Sequence, residues 1–185
     1  VTFTATVKPQ VGGGVPTGSV QFNVDGVPAV GGVRPLNAAG VATFASSTLS
    51  GLPNPHSVPA VYSADAVYAA STSAAIIQVI TKGSSTPTVT SSATSPSHTA
   101  TNPTVTFTAR VTPLGAVPGT VQFTINGVAI GGPLGLDATG RATLTQALAG
   151  SASPGTSYSV VVTYIASANY NGSTSAPLVQ RVITP

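Results

Sequence analysis

Cysteine is absent from these 185 residues, so no disulfide and no thiolate metal site can form, and the usual redox clue to compartment is missing. Glutamate is absent too, leaving Asp25, Asp65 and Asp137 as the only acids. Charged residues make up 5% of the chain, where ordinary soluble domains carry roughly 25%. Acid–base catalysis draws on paired titratable groups, and three acids with His56 and His98 offer few pairs. Calcium needs several convergent oxygen ligands, generally with several carboxylates, and these acids lie far apart in sequence. Serines are plentiful, but no nucleophile-elbow pattern accompanies them. The sequence therefore predicts no enzyme: it assigns no catalytic, cofactor-binding or metal-ligating residue, and no cofactor.

The net charge of +3 comes from Lys8, Arg34, Lys82, Arg110, Arg141 and Arg181, which are scattered singly. The pI of 9.6 thus reflects a shortage of acids. A nucleic-acid partner needs a concentrated basic stripe, so none is expected. No apolar run approaches the ~18 residues of a membrane span, so no membrane insertion is expected. With neither a signal peptide nor an initiator Met, the chain reads as a mature or excised fragment.

What is present is apolar and β-branched. The chain is 42% hydrophobic, with Val, Ile and Thr recurring throughout, which predicts a folded chain of strands. The 20 Gly and 16 Pro break every long stretch, so no helix is expected.

The chain also repeats itself. VTFTATV from Val1 answers VTFTARV from Val105, and VPTGSVQFNVDGV from Val15 answers VPGTVQFTINGV from Val117. LNAAGVATF from Leu36 answers LDATGRATL from Leu136, and YSADAVYAASTSAA from Tyr62 answers YIASANYNGSTSAP from Tyr164. The spacing drifts only between 100 and 104 residues, so one module is present twice.

Each copy alternates with period two, as half-buried strands require. Val105, Phe107, Ala109 and Val111 share one face; Val121, Phe123 and Ile125 repeat the pattern. Asp25-Gly26 and Asn126-Gly127 are type I′ hairpin signals. With a strand around Thr88 to Ser92, copy two has about seven short strands between turns, the pattern of an immunoglobulin-like sandwich. The predicted fold class is all-β, two tandem immunoglobulin-like β-sandwich domains. Their predicted bounds are 1–82 and 88–185, with 83–87 (Gly-Ser-Ser-Thr-Pro) as a short linker.

Copy one opens directly on its second strand, with nothing corresponding to Pro87 to Pro103. Either the chain is a piece of a longer array, or another segment must supply the edge strand. The ending at Ile183-Thr184-Pro185, where a following module's first strand would begin, points to the array.

The ordered set of VTFTATV, P-T-G-x-V-x-F leading to D-G or N-G, L-(D/N)-x-x-G-x-A-T-(F/L) and the Tyr62 and Tyr164 segments resembles the bacterial Ig-like repeats found in tandem on large secreted and cell-surface proteins. The resemblance covers nearly the whole chain, twice. It implies an Ig-like sandwich and a role in extending, displaying or adhering outside the cell. Two positions depart from the pattern: Ser167 stands where copy one has Asp65, and Pro59 stands where copy two has Val161. Proline lacks a ladder donor, so Pro59 is expected at a sheet edge or bulge.

Individual residues receive bland readings. Asp25 and Asp137 are turn formers, and His56 and His98 are exposed loop residues. Tyr62 and Tyr164 fall in phase with the core, each with a hydroxyl reaching the backbone; Tyr68 and Tyr170 complete a set that would otherwise suggest carbohydrate stacking. Lys8 is the one candidate for the Lys–Asn isopeptide bond of some extracellular Ig-like domains, with Asp25 or Asp65 as promoter. Asn171-Gly172-Ser173 fits a glycosylation triplet but reads better as a turn.

Two functional classes follow. The first is a non-enzymatic stalk or spacer of an extracellular or cell-surface protein, or a filament subunit for which strand complementation is one way of joining, with itself or neighbouring Ig-like repeats as partners. The second is an adhesin module binding glycan or a host protein through Gln10 to Val15, Gly51 to His56 and Ala149 to Thr156. Those loops lack the aromatic and Arg anchors of good binding hot spots.

Overall fold

The computed structural model describes residues 1–93, 97–98, 103–113, 119–150 and 155–183. The chain divides into two compact units, Val1–Thr81 and Lys82–Pro185. Among the described residues both are built of strands and turns without a helix, so no helix is long and apolar enough to cross a membrane.

The first unit contains β1 (Thr2–Thr6), β2 (Ser19–Val24), β3 (Val27–Pro35), β4 (Val41–Ala45), β5 (His56–Val58), β6 (Ala60–Tyr62), β7 (Ser71–Thr72) and β8 (Ile76–Gln78). β1 pairs antiparallel with β4, setting Phe3 opposite Phe44. A second sheet runs β3-β2-β6-β7, and β5 pairs with β8. Between these layers lie Phe3, Val20, Phe22, Phe44, Val58 and Tyr62, all at alternate strand positions whose side chains share a face. The Phe44 ring is 6.3 Å from Phe3 and 5.6 Å from Phe22, within the range of favourable aromatic contact.

The second unit contains β9 (Thr86–Ser91), β10 (Ser97–His98), β11 (Thr104–Thr112), β12 (Thr120–Ile125), β13 (Val128–Ala129), β14 (Leu134–Gly135), β15 (Arg141–Ala147), β16 (Thr156–Tyr164), β17 (Ser173–Thr174) and β18 (Leu178–Ile183). One sheet runs β15-β11-β9; the other runs β10-β18-β16-β12-β13, with β14 beside β12 and β17 beside β16. Val105, Phe107, Ala109 and Val111 of β11 are all buried, facing Val121, Phe123, Val160, Val162 and Tyr164. This is the all-β, twofold sandwich that the sequence predicts.

The hairpin turns take their signalled form. Asp25 and Gly26 have φ of 52° and 82°, and Asn126 and Gly127 have 51° and 79°. Both central residues are left-handed, as a type I′ turn requires.

Two expectations need correction. Residues 83–87, read as a linker, are bonded into the second unit. Gly83 N–H donates to Asn169 O (2.8 Å) and Gly83 O accepts from Asn171 N–H (2.9 Å). The Ser85 hydroxyl meets Ser173 Oγ at 2.6 Å, and β9 begins at Thr86. A Gly-Ser-Ser segment has no large side chain to bury, so its composition reads as a connector although its backbone and hydroxyls are fastened. Pro59 lies at neither an edge nor a bulge on an otherwise intact strand. It divides the strand that is continuous in copy two as β16 into β5, which pairs with β8, and β6, which pairs with β2 and β7. The Pro59 carbonyl still accepts from Asn23 N–H at 3.1 Å, so only the missing donor interrupts the ladder.

Candidate functional site

The acids hold turns. Asp137 Oδ1 accepts from Thr139 N–H (2.8 Å), Thr139 Oγ1 (2.7 Å) and Arg141 N–H (3.0 Å). Asn37 serves the matching turn of copy one, accepting from Ala39 and Val41. Asp65 accepts from Thr17 N–H and Oγ1 through Oδ2, and from Val67 and Tyr68 N–H through Oδ1. The backbone donors of Thr17, Tyr68 and Val67 hold its carboxyl far below the usual range. In copy two Ser167 Oγ accepts from the Asn169 and Tyr170 amides. The Asp65/Ser167 difference is therefore one of loop fastening.

His56 departs from its reading as an exposed loop residue. It opens β5 and is 3% exposed. Its Nδ1 lies 2.7 Å from Asp25 Oδ2 and its Nε2 lies 2.7 Å from the Ser50 carbonyl. Asp25 Oδ1 accepts from Ser57 N–H at 2.9 Å. Both ring nitrogens face acceptors, an arrangement only the imidazolium satisfies. Asp25 first, and then the Ser50 carbonyl, raise the His56 pKa against the opposing effect of burial. Asp25 is correspondingly lowered, chiefly by His56 and then by the Ser57 amide.

This pair has no catalytic geometry. A Ser-His-Asp relay presents Nε2 to a nucleophilic hydroxyl, whereas here Nε2 faces a carbonyl. Copy two fills the same places with uncharged groups: Asn126 Oδ1 accepts from Ser159 N–H at 2.9 Å, and the Tyr158 hydroxyl donates to Ala149 O at 2.6 Å. Asp25/His56 and Asn126/Tyr158 are two solutions to one task, joining the hairpin turn to the strand beside it.

The other singled-out residues do not converge. Tyr62 and Tyr164 are core residues, and Tyr68 and Tyr170 pack against the two cores. The Tyr62 hydroxyl is buried without the hydrogen-bond partner expected for it. Lys8 is exposed, while both acids proposed to promote its crosslinking are held by other donors. Asn54 fastens the loop Gly51 to His56 to Ile80 through bonds of 3.0 and 2.9 Å. Ala149 to Thr156 lies partly outside the described residues, as does the side chain of His98. Among the described residues no three His, Asp or Glu side chains cluster as a metal site would require.

The feature that stands apart is the open flank of the first unit. β11 has β15 on one side and β9 on the other. Its counterpart β1 has β4 and, among the described residues, no strand on its other side. A cleft of about 370 Å³ lies there, with Phe3, Ala5 and Val7 on one side and Tyr62, Ser71 and Ile76 on the other. Ala109 and Val111 are 0% exposed under β9, whereas Ala5 and Val7 are only half-buried. Ser175 and Gln180 are buried, while their counterparts Ser73 and Gln78 are exposed and half-exposed.

The sequence profile of the bacterial Ig-like domain (group 3) matches residues 1–81 and again 85–183. No curated protein sequence matches the chain. Among solved structures, the fibronectin(III)-like modules of Clostridium thermocellum CbhA align over 100% of this chain and 84% of theirs, at 16% identity and a TM-score of 0.37. A 1.5-MDa bacterial ice-binding adhesin, from a study of its retention on the host cell surface, aligns over 100% of this chain at 23% identity and a TM-score of 0.39. The alignment spans 58% of that adhesin chain. Likeness at this level assigns no property of either protein to this one.

Proposed function

The chain belongs to the bacterial Ig-like domain family of group 3, and on that premise we propose that it is a non-enzymatic structural part of an extracellular or cell-surface protein. Its two repeats act as a stalk or spacer, or as a subunit of an extracellular filament whose neighbours are joined by strand complementation. One observation carries this reading: Asp25, Asp65, Asp137 and His56 are all committed to fastening turns and strands, which leaves the described residues without an assembled set of reactive groups. Tight fastening of short loops suits a module that resists extension.

Recognition through the sandwich-end loops is the reading this displaces. The loop at 51–56 is tied down by Asn54 and presents Leu52 as its exposed apolar residue.

Pulling the chain by its ends tests the proposal. Two separate unfolding events are expected, each releasing about 25–35 nm at ~3.3–3.6 Å per residue. A chain in which either repeat extends without a resolvable force peak would overturn the stalk role. Labelling of the outer surface of intact producing cells by an antibody to the chain is the expected companion result; labelling only after lysis would sink the location.

A further inference from the structure

We infer that the outer face of the β15-β11-β9 sheet carries an anion site built on Arg110 and Arg141, and that its ligand is an acidic saccharide whose carboxylate is held by the two guanidinium groups. This goes beyond the structural role and does not depend on it. The six cations are scattered singly along the sequence, but the fold sets these two directly opposite each other, one on β11 and one on β15.

The pairing is close. Val111 N–H donates to Gly140 O at 2.9 Å, which makes 111 and 140 a hydrogen-bonded pair and the adjoining 110 and 141 a non-hydrogen-bonded one. Their Cα atoms are then about 4.5 Å apart, the nearer of the two spacings in an antiparallel ladder. Both side chains leave the face opposite the one on which Ala109, Val111 and Ala142 are buried. Like charges placed in this way destabilise a sheet.

Among the described residues no ion pair offsets that repulsion. Arg110 Nε is buried without a hydrogen-bond partner. Asp137, on the turn that leads into β15, feels the Arg141 charge, but its Oδ1 accepts from Thr139 and from the Arg141 backbone amide. A guanidinium presents donors and no acceptor, in a fork that matches a carboxylate. Two of them side by side are therefore short of an oxyanion. In the first repeat Thr6 and Val41 stand opposite each other at the matching places, so the sandwich does not need the arginines to fold.

The surroundings favour a saccharide. Thr108 and Thr143 form the next pair on the same face, and Thr88 of β9 stands opposite Arg110. A depression of about 460 Å³ reaches from Arg141 along Thr143 and Thr108 to Leu134. Threonine hydroxyls both donate and accept, as the hydroxyls of a sugar ring do. The outward positions of β11, from Thr104 to Thr112, hold only threonine and Arg110, so the face lacks the aromatic and apolar anchors of a protein interface. Two charges are also far short of a nucleic-acid footprint.

Hexagalacturonate is titrated at low salt into the isotope-labelled 185-residue chain and followed by NMR, beside maltohexaose, sodium acetate and a hexathymidylate. Saturable shifts are expected at the Arg110 and Arg141 Nε–H signals and the Thr108 and Thr143 amides, with a Kd below about 1 mM. Thr6 and Val41 should not move. The three comparison ligands should bind at least tenfold more weakly. Arg141→Gln, a change at an exposed position, separates binding from folding: it should weaken binding at least tenfold while raising the second repeat's thermal midpoint by about 1–5 °C, because the like-charge contact is gone. Arg141→Lys keeps the charge without the fork and should fall between. No saturation by hexagalacturonate overturns the inference, as does equal affinity for maltohexaose, acetate or hexathymidylate. Undiminished binding or a lowered midpoint in Arg141→Gln does the same, since the arginine would then serve the fold alone.

Discussion

His56 and Asp25 form a charged pair across the end of the first sandwich, Nδ1 to Oδ2 at 2.7 Å, with the imidazole 3% exposed. The pair makes the first repeat's stability depend on pH. Asp25 raises the His56 pKa above its usual value near 6.5. The contribution is therefore complete below about pH 6.5 and is lost as pH rises through the folded-state value. The Asp25 pKa is lowered, so its contribution holds above about pH 4 and is lost as pH falls through the folded-state value. A plateau between those limits, with a decline on the alkaline side, is expected in urea unfolding followed at the Val20 and Phe22 resonances. Charged hydrogen bonds set the size of that decline at about 1–3 kcal/mol. A flat profile through pH 9 would contradict the pairing.

Transplanting the second repeat's solution gives the matching test. Asp25→Asn with His56→Tyr reproduces Asn126/Tyr158 and should remove the alkaline decline while keeping stability at pH 6 within about 1 kcal/mol. Asp25→Asn alone leaves a buried imidazole that has lost its counter-charge, and should cost more than the double change. Such non-additivity is expected of groups in direct contact. Additive single effects would show that the two residues act independently.

Ala64 is strained. Its φ is 76°, whereas its counterpart Ala166 has no positive φ. A left-handed alanine costs about 1–2 kcal/mol, and glycine relieves this at some cost in chain entropy. Ala64→Gly should stabilise the first repeat by about 0.5 kcal/mol, while Ala166→Gly destabilises the second by about 0.5–1 kcal/mol. Opposite signs in thermal unfolding are the expected readout.

The strands and turns were legible in the sequence because period two and D-G or N-G dipeptides are local signals. Tyr62 and Tyr164 fell in phase with buried neighbours, and both are core residues. His56 was not legible, since Asn-Pro-His reads as loop and its partners, Asp25 and Ser50, arrive from other parts of the chain. A signal was nonetheless present: aspartate and histidine in copy one give way together to asparagine and tyrosine in copy two. Residues 83–87 misled because small polar residues look alike whether they are solvated or, as with Ser85 and Ser173, bonded to one another. The open flank was legible as a gap in the repeat, but its counterpart burial and the Gln78/Gln180 relation required the fold.

The gap also predicts unequal costs for equal mutations. Val7 and Val111 occupy matching places, and their backbone bonds to Gly40 and Gly140 have the same length, 2.9 Å. Val111 is 0% exposed beneath β9, whereas Val7 is half-buried and borders the cleft. Truncation to alanine removes two methyl groups from each, but only at 111 were both wholly withdrawn from water. Val111→Ala should therefore cost about 1–3 kcal/mol and Val7→Ala less than half of that. Residue-resolved urea titration of the two repeats in one chain makes the comparison under identical conditions. Equal costs would mean that Val7 is as well covered in solution as Val111, and that something already lies in the cleft.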